Sequence, residues 1–261
     1  MPRFSANLSM LYPEHPFLDR FAAAAADGFR AVEYVGAYDQ DPAELRRLLD
    51  ANGLTQALFN MPAGNWAAGE RGIACHPDRR DEFRAGVETT IAYARATGCT
   101  QVNCLAGIAP AGPYRSELEA VLVDNLKYAA PRLEAAGIRL LVEPINPIDI
   151  PGFLVNTSAD YERIAAAVGH DNLWLQYDFY HMQVVQGDLI RGFQRLQPRI
   201  AHVQIADNPG RNEPGTGEIN YTTIFAALDA AGYAGWVGAE YRPKAATSAG
   251  LGWYENWKGR A

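Results

Sequence analysis

A chain of 261 residues that is 48% hydrophobic and 20% charged, with 23 basic residues against 30 acidic ones and a net charge of −7, can bury a sizeable core. That composition excludes disorder, collagen and a disulfide framework, and the acidic balance disfavours nucleic acid, because neutralising phosphates takes a clustered excess of Lys and Arg. Short β-branched or aromatic runs at 3–8, 30–35, 54–60, 100–105, 138–143, 173–178, 200–205 and 235–240 read as eight strands. Between and after them lie segments of helical period near 15–27, 41–52, 79–97, 115–136, 157–168, 186–196, 220–231 and 247–257. Several of these run into a glycine, at Gly28, Gly53, Gly98, Gly137, Gly169 and Gly232, as a left-handed helix stop requires.

Strand–helix alternation with right-handed crossovers makes a parallel sheet, and eight such units in this length predict a single (β/α)₈ TIM barrel over residues 1–261, with an open doubly wound sheet as the alternative. No linker or charge block divides the chain. Cys75, Cys99 and Cys104 are odd in number and lack metal-type spacing, which suits reduced thiols in a reducing compartment. No basic leader with an apolar core opens the sequence, and no apolar stretch nears the ~18 residues of a bilayer span, so a cytoplasmic location without a membrane partner is expected. The reading leaves room for a homo-oligomer.

A buried parallel strand is apolar throughout, so a polar residue at its last position needs a reason. Four successive strands end that way: Leu-Leu-Val-Glu143, Leu-Gln-Tyr-Asp178, His-Val-Gln204 and Val-Gly-Ala-Glu240. In a barrel these ends meet at one rim. Three carboxylates crowd together only with a cation, and an all-oxygen donor set of Glu143, Asp178, Gln204 and Glu240 favours a hard ion, Mg²⁺ or Mn²⁺, over Zn²⁺. The bland reading of each residue alone is a helix cap or a partner for a loop arginine.

His181, three residues beyond Asp178, falls on the loop above the same rim, where an imidazole can polarise a substrate carbonyl. His202 shares the parity of Gln204 one layer deeper and reads as a satisfied core histidine. Two glycine-rich loops are long enough to cover a ligand. The first runs from Asn60 to Gly72 after strand three and the second from Ala206 to Glu218 after strand seven. Their arginines, Arg71 and Arg211, suit a small acid, because a planar guanidinium grips a carboxylate in bidentate fashion. The alternatives are ion pairs with Glu70 and Glu213. Asn60 joins them as a substrate-binding candidate. Gly215-Thr-Gly217 lacks the third glycine of a nucleotide fingerprint, so no organic cofactor is expected.

Longer strings carry a resemblance. Pro62-Ala-Gly-Asn-Trp-Ala-Ala-Gly-Glu-Arg-Gly-Ile-Ala74, Val142-Glu-Pro-Ile-Asn146, Asp149-Ile-Pro-Gly-Phe153, Gln176-Tyr-Asp-Phe-Tyr-His-Met-Gln183, His202-Val-Gln-Ile-Ala-Asp-Asn-Pro209, Glu213-Pro-Gly-Thr-Gly-Glu-Ile-Asn-Tyr221 and Trp236-Val-Gly-Ala-Glu-Tyr241 resemble the hydroxypyruvate isomerase group of the xylose-isomerase-like barrels over essentially the whole chain. The resemblance implies interconversion of hydroxypyruvate and tartronate semialdehyde, with Glu143 and Glu240 as the proton-transfer pair. It also implies a divalent cation on Glu143, Asp178, Gln204 and Glu240. Many members of the wider superfamily carry His where Gln204 stands, so the identity of the ion does not carry over. The 2-oxo-tetronate isomerases, a sister group, share the four strand-end residues and run the same chemistry on a substrate one carbon longer. The Asn65-Trp-Ala-Ala-Gly-Glu-Arg71 loop and Glu213-Pro-Gly-Thr-Gly-Glu218 look more like the hydroxypyruvate group. Two other classes compete: a multi-zinc endonuclease of the same barrel, which five histidines can hardly furnish, and a non-catalytic sugar-acid binding protein, which has no use for a carboxylate base.

Overall fold

The computed structural model describes residues 2–257. Eight parallel strands form one closed barrel in chain order: β1 Arg3–Asn7, β2 Ala31–Tyr34, β3 Thr55–Asn60, β4 Gln101–Asn103, β5 Arg139–Val142, β6 Leu173–Asp178, β7 Ile200–Ile205 and β8 Trp236–Ala239. The helices are α1 Arg20–Ala26, α2 Pro42–Asn52, α3 Arg80–Thr97, α4 Arg115–Ala135, α5 Ser158–Val168, α6 Phe179–Val185, α7 Leu189–Leu196, α8 Tyr221–Ala230 and α9 Gly252–Glu255. All six glycines expected to stop helices have positive φ; Gly53, at φ 62° after α2, donates its N–H back to Asp50 and Leu49 in the helix's last turn.

Three elements depart from expectation. The segment 186–196 is preceded by an extra helix, α6, which begins directly on the last residue of β6 because the Asp178 carboxylate accepts the Tyr180 N–H at 2.7 Å and so caps it. The helix expected over 247–257 is a 3₁₀ turn, Thr247–Gly250, followed by the four residues of α9, in a stretch interrupted by Gly250 and Gly252. Of the four polar residues expected at strand ends, Asp178 is the last of β6, Gln204 is followed in β7 by Ile205, and Glu143 and Glu240 each lie one residue past their strand, at loop starts.

Backbone contacts group the chain into two compact units, residues 58–176 and residues 1–57 with 177–261. In the second of these, β1 pairs with both β2 and β8, in the registers Asn7↔Glu33 and Ala6↔Ala239, and β7 pairs with β8, Gln204 opposite Gly238. Phe4 packs edge-on against Phe225, Trp253 and Tyr254, with centroids 5.2–5.8 Å apart, so the last helical turn covers the first strand. In residues 58–176, β3 pairs with β4 (Asn60↔Asn103), β4 with β5 (Asn103↔Leu141) and β5 with β6 (Val142↔Leu175). Cys75, Cys99 and Cys104 are buried and unbridged. Among the described residues no helix is long and apolar enough to cross a membrane.

Candidate active site

In the unit formed by 1–57 and 177–261, the polar residues collect where β6, β7 and β8 end. Asp178 is fully buried, with Oδ1 committed to capping α6. The first turn of that helix carries His181, whose Nε2 lies 3.6 Å from Asp178 Oδ2. His181 is thus a helical residue and not the loop residue that the sequence suggested. Burial, reinforced by the Arg211 charge, drives its pKa well below the ordinary imidazole range, so the ring is neutral and presents one acceptor nitrogen.

Arg211 reaches this cluster from the loop after β7. Its backbone is left-handed at φ 52°, its side chain is buried, and its Nη2 donates to Glu240 Oε2 at 2.7 Å. The same nitrogen is 3.5 Å from His181 Nε2 and 3.8 Å from Asp178 Oδ2, with the guanidinium carbon 5.1 Å from the centre of the Tyr180 ring. The expected alternative partner, Glu213, instead accepts the Lys244 N–H. Glu240 also accepts from Asn7 Nδ2 at 3.0 Å. Burial pushes the Glu240 carboxyl up to about 8, with the Asp178 and Glu33 charges adding to the rise and Arg211 opposing it.

Candidate ligand atoms of Asp178, His181 and Glu240 all lie within 4.8 Å of one another. Two buried acids and a neutral imidazole that close, with one acid lifted first by burial and further by the Asp178 and Glu33 charges, suit a divalent cation, which would offset both. Gln204, buried on β7, donates through Nε2 to Glu33 Oε1 at 2.8 Å. Its neighbour of like parity, His202, is paired to Glu33 Oε2 at 2.8 Å, a satisfied core histidine as expected. Glu33 itself escaped the sequence reading, although a charged residue within the apolar run Ala31-Val-Glu-Tyr34 was a signal of the same kind as those at the strand ends.

In residues 58–176, Glu143 is buried and accepts from Asn103 Nδ2 at 3.1 Å. Asn60, buried at the end of β3, pairs in register with the same asparagine, and the Asn103 carbonyl accepts the Met61 N–H at 2.8 Å. Arg71 lies on its own loop: the guanidinium stacks 3.9 Å from the centre of the half-exposed Trp66 ring and donates to the Trp66 and Glu70 carbonyls. Glu70 pairs with Arg79.

A closed eight-stranded α/β barrel with buried acids and an imidazole gathered at its strand ends defines a barrel enzyme with a candidate divalent-cation centre. Residues 21–257 match the model of the xylose isomerase-like TIM barrel family, and the chain belongs to that family and to its isomerases. It is 51% identical over 260 residues to a 2-oxo-tetronate isomerase of Cupriavidus necator, covering 100% of both chains. It is also 51% identical over 258 residues to a hydroxypyruvate isomerase of Escherichia coli, covering 99% of this chain and 100% of the relative. A solved structure of an AP endonuclease of family 2 from Brucella melitensis superposes with a TM-score of 0.96 at 42% identity, covering 98% of this chain and 99% of that one.

Proposed function

We propose that this barrel moves the carbonyl of a small 2-oxo sugar acid from C2 to C3, with a four-carbon 2-oxo-tetronate as substrate. The Cupriavidus necator relative, alike over its whole length, supports the four-carbon substrate. Three-carbon hydroxypyruvate is the second reading, supported by the Escherichia coli relative and by the loop strings around Trp66 and Glu213. The whole chain is proposed to act as one domain, in the cytoplasm, on an anionic small molecule, with neither nucleic acid nor an organic cofactor.

The observation that carries the reading is the buried Asp178–His181–Glu240 cluster with Arg211 set into it. Glu143, which follows β5, the strand next to β6 in the barrel order, is proposed to join Asp178 and Glu240 as the cation's carboxylate donors, with Gln204 adding an amide oxygen and His181 left to the substrate. A hard divalent ion, Mg²⁺ or Mn²⁺, would supply Lewis-acid stabilisation of the developing oxyanion.

The chain's own residues do the rest. Isomerisation takes a proton from C3 and returns one to C2 through an enediolate, while the O3 hydroxyl proton passes to O2, so it needs one carboxylate that accepts at carbon and one that gives. Glu143 is assigned the base. Glu240, whose two oxygens accept from Asn7 and Arg211, is assigned its return. Neutral His181 and the Arg211 guanidinium face the substrate oxygens, and Arg211 exchanges its hold on Glu240 for the substrate carboxylate. Asn60 and Arg71 are assigned to the approach, with Arg71 reaching substrate only when its side chain leaves the Trp66 ring.

The test is kcat/KM of the purified enzyme on 2-oxo-tetronate and on hydroxypyruvate, with and without chelator, beside Glu143→Gln and Glu240→Gln. The expected result is a preference for the four-carbon acid, loss of turnover with chelator, and a fall of about 10²–10⁴ or more in both variants with the fold intact. Full turnover in either variant sinks the acid–base assignment, and a preference for hydroxypyruvate hands the substrate to the second reading.

A further inference from the structure

Glu33 has no part in that chemistry, yet four donors from two strands converge on it. Ser5 Oγ donates to Oε2 at 2.7 Å and Asn7 Nδ2 to Oε1 at 3.2 Å, both from β1. His202 Nε2 lies 2.8 Å from Oε2, and Gln204 Nε2 lies 2.8 Å from Oε1, both from β7. The barrel also leaves room for it, since a Cβ on Gly238 of β8 would collide with both Glu33 oxygens. Ser5, Asn7 and Gln204 all donate to its two oxygens and the His202 ring lies within hydrogen-bond reach, which is the pattern of an accepting carboxylate.

An ionised carboxylate accepts and never donates, so it dictates which atom each neighbour presents. The two faces of a glutamine amide are nearly the same shape, and only a partner that discriminates can fix them. Turning Gln204 over would set its carbonyl oxygen against the Glu33 anion, so the N–H₂ stays inward and the oxygen faces the other way. Asn7 is constrained likewise, sharing Nδ2 between Glu33 Oε1 and Glu240 Oε1. We propose that Glu33 is a positioning residue for the cation centre, acting through Gln204 and Asn7 to aim the Gln204 oxygen and the Glu240 carboxylate at the ion while touching neither ion nor substrate. This rests on the donor set proposed above.

The experiment is calorimetric titration of Mn²⁺ into the purified wild type, Glu33→Gln, Glu33→Asp and the double variant Glu33→Gln/Gln204→Glu, with thermal unfolding followed on each. Glu33→Gln replaces one accepting oxygen by a donor and frees the Gln204 amide to turn over; Mn²⁺ affinity is expected to fall about 10–100-fold. In the double variant the new amide at position 33 donates to the new carboxylate at position 204, whose second oxygen again faces the centre, so most of the lost affinity returns. Glu33→Asp keeps the charge but shortens its reach, and falls in affinity in the same direction; it carries the test if Glu33→Gln does not fold. A role in stability alone gives a lower Tm with wild-type Mn²⁺ affinity in Glu33→Gln or Glu33→Asp, or no recovery in the double variant, and each of these overturns the proposal. A wild type that binds Mn²⁺ while the position-33 variants bind it equally well overturns this role alone. A wild type that isomerises substrate without binding Mn²⁺ overturns the donor set, and this role with it.

Discussion

Two loops of like composition meet different ends. The loop 60–72 and the loop 206–218 are both glycine-rich, both follow a strand and both carry one arginine. Arg211 is buried against Glu240, whereas Arg71 rests on an indole ring at the surface of its own loop. The difference lies in what holds each loop. Buried Asp207 gathers the N–H groups of Gly215, Gly217 and Ile219 at 2.8, 2.9 and 3.0 Å, and bridges to Asn212 through the backbone. Arg242 then donates its N–H to the Arg211 carbonyl at 2.8 Å, so the residue is fixed from both sides with a positive φ. The other loop is held from its surface, by Asn65 capping the turn Trp66–Ala68 and by Glu70 bound to Arg79. An arginine is a candidate ligand-binding group in either sequence, but the buried Asp207 carboxylate, gathering N–H groups of Arg211's own loop, delivers that one to a buried partner.

Removing the two arginines is the strongest way to break the comparison. Arg211→Met takes away the donor facing Glu240 and His181, and kcat/KM is expected to fall about 10²-fold or more, as when a preorganised charge-stabilising donor is lost. Burial already raises the Glu240 carboxyl, and the lost charge can be answered by proton uptake there, so the folded state should survive. Arg71→Met loses a cation–π contact at an exposed ring, about 0.5–1 kcal/mol of stability, and a much smaller part of kcat/KM. Equal damage from both variants would mean that the first loop closes onto substrate during turnover, and that the resting contact with Trp66 is only a latch.

Cutting the anchor instead of the arginine gives the next effect. Asp207→Ala leaves backbone donors in the 206–218 loop without their acceptor, which costs about 1–3 kcal/mol in a denaturant titration. The same change lets Arg211 wander, so KM for the acid substrate should rise while Arg211 itself is untouched. An unchanged KM would show that Glu240 alone holds the guanidinium in place.

Much of this was legible in the residues. The eight strands follow from period-2 and apolar runs between glycine stops, and the place of Asp178 at the end of β6 and of Gln204 one residue inside the end of β7 follows from polar residues where buried strands should be apolar. What escaped had competing local chemistry. Asp178 serves as both the end of β6 and the cap of α6, and a residue with two roles hides the helix boundary, which is why His181 read as a loop residue. Arg71 and Arg211 differ only through the long-range backbone bonds of Asp207 and Arg242, which no local pattern records. Glu33 was readable as an acid inside an apolar run, but its partners Ser5, His202 and Gln204 are 28, 169 and 171 residues away in sequence.

The smallest effect compares Asp207 with another carboxylate that ties down a loop. Asp160 accepts the Asn156 and Thr157 N–H groups, both at 3.1 Å, and forms a reciprocal cap with Thr157 at the start of α5, but it also meets Arg163 and Arg115 at 2.8 and 3.2 Å. Burial would raise its carboxyl; the hydrogen bonds from Arg163, Asn156 and Thr157 outweigh that and hold it below the usual range. A depressed pKa contributes stability that is present above the unfolded carboxyl value, about 3.9, and is lost as pH falls through the folded one. Asp160→Asn is therefore expected to cost about 1 kcal/mol at pH 7, the scale of a helix cap, and the gap from wild type should close in acid. Urea midpoints at pH 7 and at pH 3 check this. A gap that stays constant between them would assign the stabilisation to the shape of the cap, with no share for the charge that Arg163 and Arg115 hold in place.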